Sequence, residues 1–384
     1  MKSAKAWTGE KGLNIAAKLR AVCRRRLAAA CDWAANNQVR HAWPRWDANA
    51  GRFPYHVHMP SNDVFLSTVW NTARLAQGLL AAGRALGDAR HMDTAGRAVE
   101  YVKSLQVFAP ERPDVRGAFF EETPQGFSVG VRDGVEGAQA FMVHYFATRD
   151  KTSLLRAGAY LDWLAARVAR EGAEDVISGW CGYAAPIPLA QYAAATGKKK
   201  YIARTAVPVA EAIIRMMGPD GALTSPAKSE HHAPLGNGVI YNDDGLGVAL
   251  LCTWKATGKR KYLDAASALG EWWLRQESLP DVFSMVPAAM LFLADMARAT
   301  GDARYTRYLA SLCERLFDMQ ALNDERALVQ GGFIGEDRAP CFRVGSKPEE
   351  FISIRTTSYA LIAMAKLAAR GDKEWSPAYS AFGF

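Results

Sequence analysis

The sequence predicts an all-α protein, a barrel of six helical hairpins with twelve main helices in two concentric layers. Three observations predict it. A short turn of one composition recurs along the chain. The segments on its two sides differ, small and apolar before the turn and amphipathic after it. Alternation of apolar and polar residues with a period of two, the mark of a half-buried strand, is nearly absent.

The turns are Leu86-Gly-Asp-Ala-Arg-His91, Thr148-Arg-Asp-Lys-Thr-Ser153, Thr196-Gly-Lys-Lys-Lys-Tyr201, Thr257-Gly-Lys-Arg-Lys-Tyr262 and Thr300-Gly-Asp-Ala-Arg-Tyr305, with a degenerate sixth at Arg370-Gly-Asp-Lys-Glu-Trp375. Glycine suits the residue just past a helix end, where φ is positive. Successive turns lie 62, 48, 61, 43 and 70 residues apart, a structural repeat with variable insertions.

Taken in order, residues 14–37 read as an amphipathic helix with Ile15, Leu19, Val22, Cys23, Leu27 and Ala30 on one face. It serves as the outer partner of the last hairpin. A loop rich in Trp, Pro and Gly follows, through Trp43, Trp46 and the run Gly51–Pro60. The helices before the turns are expected at 67–86, 134–148, 185–196, 244–257, 284–299 and 353–370. Those after the turns are expected at 91–106, 152–169, 199–216, 260–276 and 303–319. Gly134-Val-Glu-Gly-Ala-Gln-Ala-Phe-Met-Val and Met285-Val-Pro-Ala-Ala-Met-Leu-Phe-Leu-Ala are apolar nearly all round, as buried inner helices must be. Pro186, Pro188 and Pro287 fall in first turns, where the missing N–H is harmless. Pro208 lies inside an outer helix and predicts a kink. Short hairpins are expected only in the long loops, for example at Gly117-Ala-Phe-Phe-Glu-Glu. The connections are asymmetric: about five residues from inner to outer helix, but long from outer to inner, at 107–133, 170–184, 217–243, 277–283 and 320–352. The long loops all empty at the N-termini of the inner helices, which makes that end the functional mouth.

Composition fits a soluble globular chain of 384 residues, 49% hydrophobic and 22% charged. The net charge of +8 would favour anionic partners such as uronate sugars, but the short runs Arg24–Arg26 and Lys198–Lys200 carry no nucleic-acid motif, and a solvated basic surface explains them. No nucleic acid and no membrane partner is expected. Six scattered cysteines without a CxxC pair read as reduced thiols. The basic, flexible 1–12 segment has no apolar run of the kind a signal peptide needs, so a cytoplasmic protein is expected. Residues 13–374 form the single barrel domain. The tail 375–384, with four aromatics in ten residues, is expected to dock on the barrel or on a second subunit.

The most reactive-looking stretch is Gly236-Asn-Gly-Val-Ile-Tyr-Asn-Asp-Asp-Gly245, which ends a polar loop and opens an inner helix. Asn242 or Asp243 can cap that helix, freeing the other carboxylate to point into the mouth. With its repeated turns and the Tyr241-Asn-Asp-Asp-Gly245 element, the chain resembles the (α/α)6-barrel proteins of the six-hairpin glycosidase-like class over nearly its whole length. That class includes α-mannanases, unsaturated uronyl hydrolases, polysaccharide lyase domains and sugar epimerases, with catalytic groups in the inner-helix mouth. The Asn-Asp-Asp element looks like the paired aspartates of the α-1,6-mannanase type. Terpenoid and lanthionine cyclases share the topology. The cyclase Asp-x-Asp-Asp is missing because Tyr241 stands at its first position. Ser178-Gly-Trp-Cys-Gly-Tyr183 is similar to the lanthionine cyclase Trp-Cys element, but Phe342 follows Cys341 where that family has His, so zinc is not expected.

Glycoside hydrolysis needs one protonated and one ionised carboxyl group. The candidates are Glu121, Glu122, Asp133, Glu136, Asp243 and Asp244, of which Asp243, Asp244 and Asp133 are the expected catalytic residues. Two adjacent aspartates raise one another's pKa. The competing reading is N-capping, which places Asp at helix starts for local reasons, and Glu121 and Glu122 equally suit a solvated loop edge. Trp180 and Tyr241 are expected sugar platforms, with Trp70 and Tyr183 near them. His232 follows His231, and adjacent histidines bind one metal poorly, so His232 reads as a base or donor, or as a satisfied loop histidine. His144 reads as core. Arg355 opens the last inner helix and suits either a uronate carboxylate or an ion pair with a mouth acid. Glu122 and Glu136 complete the expected substrate contacts. No cofactor and no metal is expected. The sequence thus points to a glycoside hydrolase acting on an oligosaccharide or uronate-containing sugar. The alternatives are a lyase or epimerase in which His232 or Tyr241 abstracts a proton, and a glycan-binding toroid without catalysis.

Overall fold

The computed structural model describes residues 17–40, 49–121, 129–180, 182–223, 245–276, 283–336 and 339–368. In chain order the elements are α1 (Ala17–Asn37), β1 (Pro54–His58), β2 (Asp63–Leu66), α2 (Val69–Leu86), α3 (Ala89–Ser104), α4 (Val131–Thr148), α5 (Lys151–Glu171), α6 (Ala173–Trp180), α7 (Pro186–Thr196), α8 (Val207–Met216), α9 (Leu246–Thr257), α10 (Arg260–Leu274), α11 (Met285–Thr300), α12 (Ala303–Asp318), α13 (Ala339–Phe342), β3 (Phe351–Ser353) and α14 (Ile354–Ala368).

The packing closes a ring. Helix α2 packs on α4, α4 on α7, α7 on α9, α9 on α11, α11 on α14, and α14 returns to α2. Outside it, α3, α5, α8, α10, α12 and α1 each pack on the inner helix of their own hairpin. This is an (α/α)6 barrel, with 284–299 in the inner layer as expected. Burial follows the layers. Every residue from Val69 to Gly83 of α2 and from Ile354 to Ala368 of α14 is buried, whereas α12 buries one stripe through Tyr305, Leu309, Leu312, Cys313 and Leu316.

The recurring turn has a physical explanation in which threonine matters as much as glycine. The Thr300 hydroxyl donates to the Met296 carbonyl at 2.7 Å and accepts from the Asp302 N–H at 3.2 Å. Thr148, Thr196 and Thr257 make the same pair of bonds. One side chain therefore closes the inner helix and aims the backbone into the outer one. Past it comes the left-handed residue, Gly301 at φ 72° and Arg149 at φ 63° in the turn that lacks glycine. Asp88, Asp150 and Asp302 then cap the outer helices.

Three features depart from the expected elements. The helix expected over 199–216 has a π-helical stretch, Ile202–Ala206, directly before α8. Pro208 has no N–H and its ring crowds the carbonyl four residues back, which disturbs the regular α-helical bonding at this point. Helix α6 occupies part of the expected 170–184 loop. A three-stranded antiparallel sheet of order β2-β1-β3 lies at the mouth, pairing His56 with Ser353 and His58 with Phe351. At Gly117–Phe120 there are only isolated bridges, Gln106 to Phe119 and Phe120 to Val129. The Arg370–Trp375 turn and the aromatic tail lie outside the described residues.

Candidate active site

Asp133 stands in the first turn of α4, whose N-cap is Gly130. Its carboxylate folds back over Gly130, where a Cβ would meet Oδ2 at 2.1 Å, so a side chain there would displace the carboxylate. The same turn is anchored by Tyr160, whose hydroxyl donates to the Val131 carbonyl at 2.7 Å. Tyr160 lies so close that a Cβ on Gly134 would touch its ring at 2.0 Å. Asp133 is therefore held at the inner-helix start with only 7% of its surface exposed. Burial is the main reason its pKa rises, to about 7, and nearby Glu121 raises it further, while Arg132 works in the opposite sense. Glu121 is placed by its own backbone, whose carbonyl accepts from the Val69 N–H at 2.8 Å.

The neighbours of Asp133 are otherwise engaged. Glu136, one turn on, is ion-paired with Arg74 and accepts from Gln77 Nε2 at 3.2 Å. Arg74 in turn lies 4.0 Å from the Tyr359 ring centre. This buried group ties α2, α4 and α14 together. Arg132 covers the Trp70 ring at 4.4 Å.

A second polar group lies beside α14. The sheet places His56 near Arg355 and Glu336: His56 Nδ1 is 3.3 Å from Glu336 Oε2, and Ser353 Oγ donates to that same oxygen at 2.8 Å. Burial, and secondarily the charge of Arg355, push the His56 pKa down to about 3. The ring is therefore neutral near pH 7, and its contact with Glu336 is dipolar rather than an ion pair. Tyr55 stacks on His56 at 3.8 Å and Phe342 meets it at 4.1 Å.

Of the residues expected from sequence, the structure brings Asp133, Glu136 and Arg355 to the inner-helix starts, with Arg355 only 5% exposed. Asp243, Asp244, Tyr241, His232 and Glu122 lie outside the described residues, as do Trp43 and Trp46. One detail near them is corrected. Helix α9 starts at Leu246, and its N-cap is Gly245 at φ 83°, not Asn242 or Asp243. A Cβ at Gly245 would meet Ala184 at 2.7 Å, and this tight approach fixes where the loop enters the helix. Trp180 ends α6. Tyr183 is buried, as are Trp272 and Trp273, so none of these three offers a face to a sugar. His144 packs against the α4–α5 turn, with Nδ1 2.9 Å from Ser153 Oγ. Sequence reasoning passed over His56, Glu336 and Asn71. The available signal was the alternation Tyr55-His-Val-His58, which puts both histidines on one strand face. No group of three potential metal ligands occurs among the described residues.

A groove of about 640 Å³ opens at the other end of the barrel, between α7, α8 and α9. Its lining includes Ala193, Ile202, Ala203 and Cys252 with Lys199 and Lys255 but no carboxylate, so it offers no acid–base pair.

No family model matches the chain, and no curated protein is similar to it. Solved structures are. An unsaturated glucuronyl hydrolase specific for heparin matches with a TM-score of 0.66 at 12% identity, covering 90% of this chain and 96% of that one. The cellobiose 2-epimerase from Bacillus thermoamylovorans matches with a TM-score of 0.63 at 12% identity, covering 90% and 98%. An inactive variant of the α-1,6-mannanase of Salegentibacter sp. HEL1_6, in complex with α-1,6-mannotriose, matches with a TM-score of 0.60 at 10% identity, covering 90% and 99%. The chain thus shares the (α/α)6-barrel fold of these neighbours over nearly their whole length. No helix among the described residues is long and apolar enough to cross a membrane.

Proposed function

We propose that this chain is a carbohydrate-active enzyme, a glycoside hydrolase with Asp133 as proton donor. Asp133 itself carries this reading: a buried carboxyl at the barrel mouth, raised to a pKa of about 7, still holds a proton at neutral pH. Protonated, it donates to the leaving glycosidic oxygen. The second carboxyl, base or nucleophile across the ring, we assign to Asp243 or Asp244, which immediately precede Gly245. A separation near 5–5.5 Å from Asp133 gives retention, and roughly 6.5–9.5 Å gives inversion. The neighbours named for a mannanase and a glucuronyl hydrolase support a glycan substrate.

One observation favours a second reading, a sugar epimerase or a lyase. Arg355, at the start of α14, is a cation suited to an enolate or carboxylate, and one similar structure is named a cellobiose 2-epimerase. Incubation with a glycan panel separates the readings. Hydrolysis raises reducing ends, a lyase adds the absorbance of an unsaturated uronate, and an epimerase changes neither but alters the sugar composition. The expected result is a rise in reducing ends without absorbance, lowered about 10²–10⁴-fold in Asp133→Asn. Full activity in that variant would sink the assignment.

A further inference from the structure

The start of α2 holds polar groups that the protein itself leaves unused. Asn71 is 0% exposed, yet neither its Oδ1 nor its Nδ2 has a hydrogen-bond partner. Three residues before it, Thr68 holds the N-cap position, but its hydroxyl makes no cap bond and has no other partner. Three buried polar atoms, two acceptor-capable oxygens and one NH2 donor, therefore share the mouth end of one inner helix without satisfaction. Such atoms are uncommon in folded proteins because each gives up bonds to water and gains nothing in return.

Helix geometry says where Asn71 points. On α2, Gly78 meets α14, where a Cβ would touch Leu361 at 2.7 Å, and Arg74 reaches the Tyr359 ring of the same helix. Asn71, Arg74 and Gly78 lie at spacings of three, four and seven and so share one face. Two turns towards the mouth from Gly78 and from Leu361 stand Asn71 and Ile354, the latter next to Arg355. Asn71 thus faces the α14 side of the barrel axis. The adjacent Trp70 is tied to Arg132 of α4, the residue before Asp133.

We propose that Asn71, with Thr68, is a specificity-determining site for a pair of neighbouring sugar hydroxyls. This deepens the carbohydrate reading and rests on it. The amide NH2 donates to one hydroxyl oxygen while Oδ1 accepts from the next, and the Thr68 hydroxyl serves either role. A sugar lacking one of those hydroxyls, or carrying it on the other face, leaves a buried group unpaired and is rejected. Asp133 and Asn71 divide the work: the first acts on the glycosidic oxygen and the second holds the ring that carries it.

The test compares wild type with Asn71→Leu, nearly the same size and apolar, and with Asn71→Ala, which only removes atoms should leucine not fit. Melting temperatures are measured alone and with mannose, glucose or glucuronic acid as probes. The expected result is that Asn71→Leu, or Asn71→Ala in its place, melts at or above the wild type without sugar. At least one probe raises the wild-type melting temperature, and the variant loses that shift. Both substitutions melting well below the wild type would show a structural role for the amide, through water, and overturn the proposal. So would a sugar shift that survives the substitution, or no shift of the wild type by any probe. The readout is binding, so a wild type that binds a sugar but cleaves no glycan counts against the hydrolase assignment and leaves Asn71 standing.

Discussion

A single side chain shows how the fold sets chemistry at Asp133. Its pKa is about 7 in the folded chain against 3.8 for the free residue. A carboxyl whose folded pKa is raised contributes stability that is complete below the unfolded value and lost as pH rises through the folded one. Asp133→Asn removes that titration. Its stability relative to wild type should therefore climb between about pH 4 and pH 7, at up to about 1.4 kcal/mol per pH unit, and then level off. Chemical denaturation at a series of pH values measures this, and a difference independent of pH would contradict it. His56 has the opposite sign. Its pKa is pushed down to about 3 from 6.5, so its contribution is complete above 6.5 and lost as pH falls. His56→Gln should flatten the acid side of the wild-type stability curve. The position of Asp133 at a helix start was legible in the sequence, because it follows from periodicity. Its raised pKa was not, since Glu121 and the burial that cause it come from other segments. His56 was less legible still, because the groups around it, Glu336, Ser353 and Arg355, lie about 300 residues away.

Among the elements, the hairpin turn is the unit that the chain repeats, and the caps make it directional. Asp150 accepts from the N–H groups of Thr152 and Ser153, and its Oδ2 lies 2.9 Å from Lys103 Nζ of the preceding hairpin. Asp150→Ala should cost about 0.5–2 kcal/mol for the cap, and Asp150→Asn should recover most of it. An equal loss in both would assign the effect to the ion pair instead. Inner helices carry a different constraint, close approach. Gly134→Ala would drive a methyl into the Tyr160 ring, displacing the side chain that anchors the Val131 carbonyl. The expected cost is typically about 1–3 kcal/mol, read as a lower melting temperature. Most helix boundaries were legible to within about three residues because apolar periodicity and Gly at helix ends are local signals. The mouth sheet was not, because its strands are three to five residues long and β1 pairs with a segment near the other end of the chain. The π-helical stretch was half legible: Pro208 marked the place but not the π-helical form that the irregularity takes.

At the scale of the whole molecule, the barrel is a ring closed between its first and last inner helices, and buried charge lies beside the closing helix. Lys366 of α14 donates to Asp295 Oδ2 of α11 at 2.7 Å and to the Leu291 carbonyl at 3.0 Å, and both charged side chains are almost fully enclosed. Lys366→Met takes the cation away from the buried Asp295 carboxylate and should cost about 3–5 kcal/mol, whereas the double change Lys366→Met with Asp295→Leu should recover much of that loss. Urea unfolding of the wild type and the two variants gives the answer, and a double variant as unstable as the single would contradict it. The ring itself was legible because six similar turns cannot be accommodated by one hydrophobic core without a repeat. Which residues face one another across the lumen was not, since the sequence carries no record of rotation about each helix axis.

The central claim is that a protonated Asp133 at the mouth drives glycoside cleavage. The most direct measurement is kcat/KM against pH on a cleaved glycan, for wild type and Asp133→Asn, repeated with a nitrophenyl glycoside whose leaving group needs little protonation. The wild type should lose activity above about pH 7, where Asp133 gives up its proton. The variant should lack that limb on the natural glycoside yet retain much of the wild-type rate on the nitrophenyl one. A variant that keeps both the wild-type rate and the same alkaline limb on the glycan would show that another group is the acid.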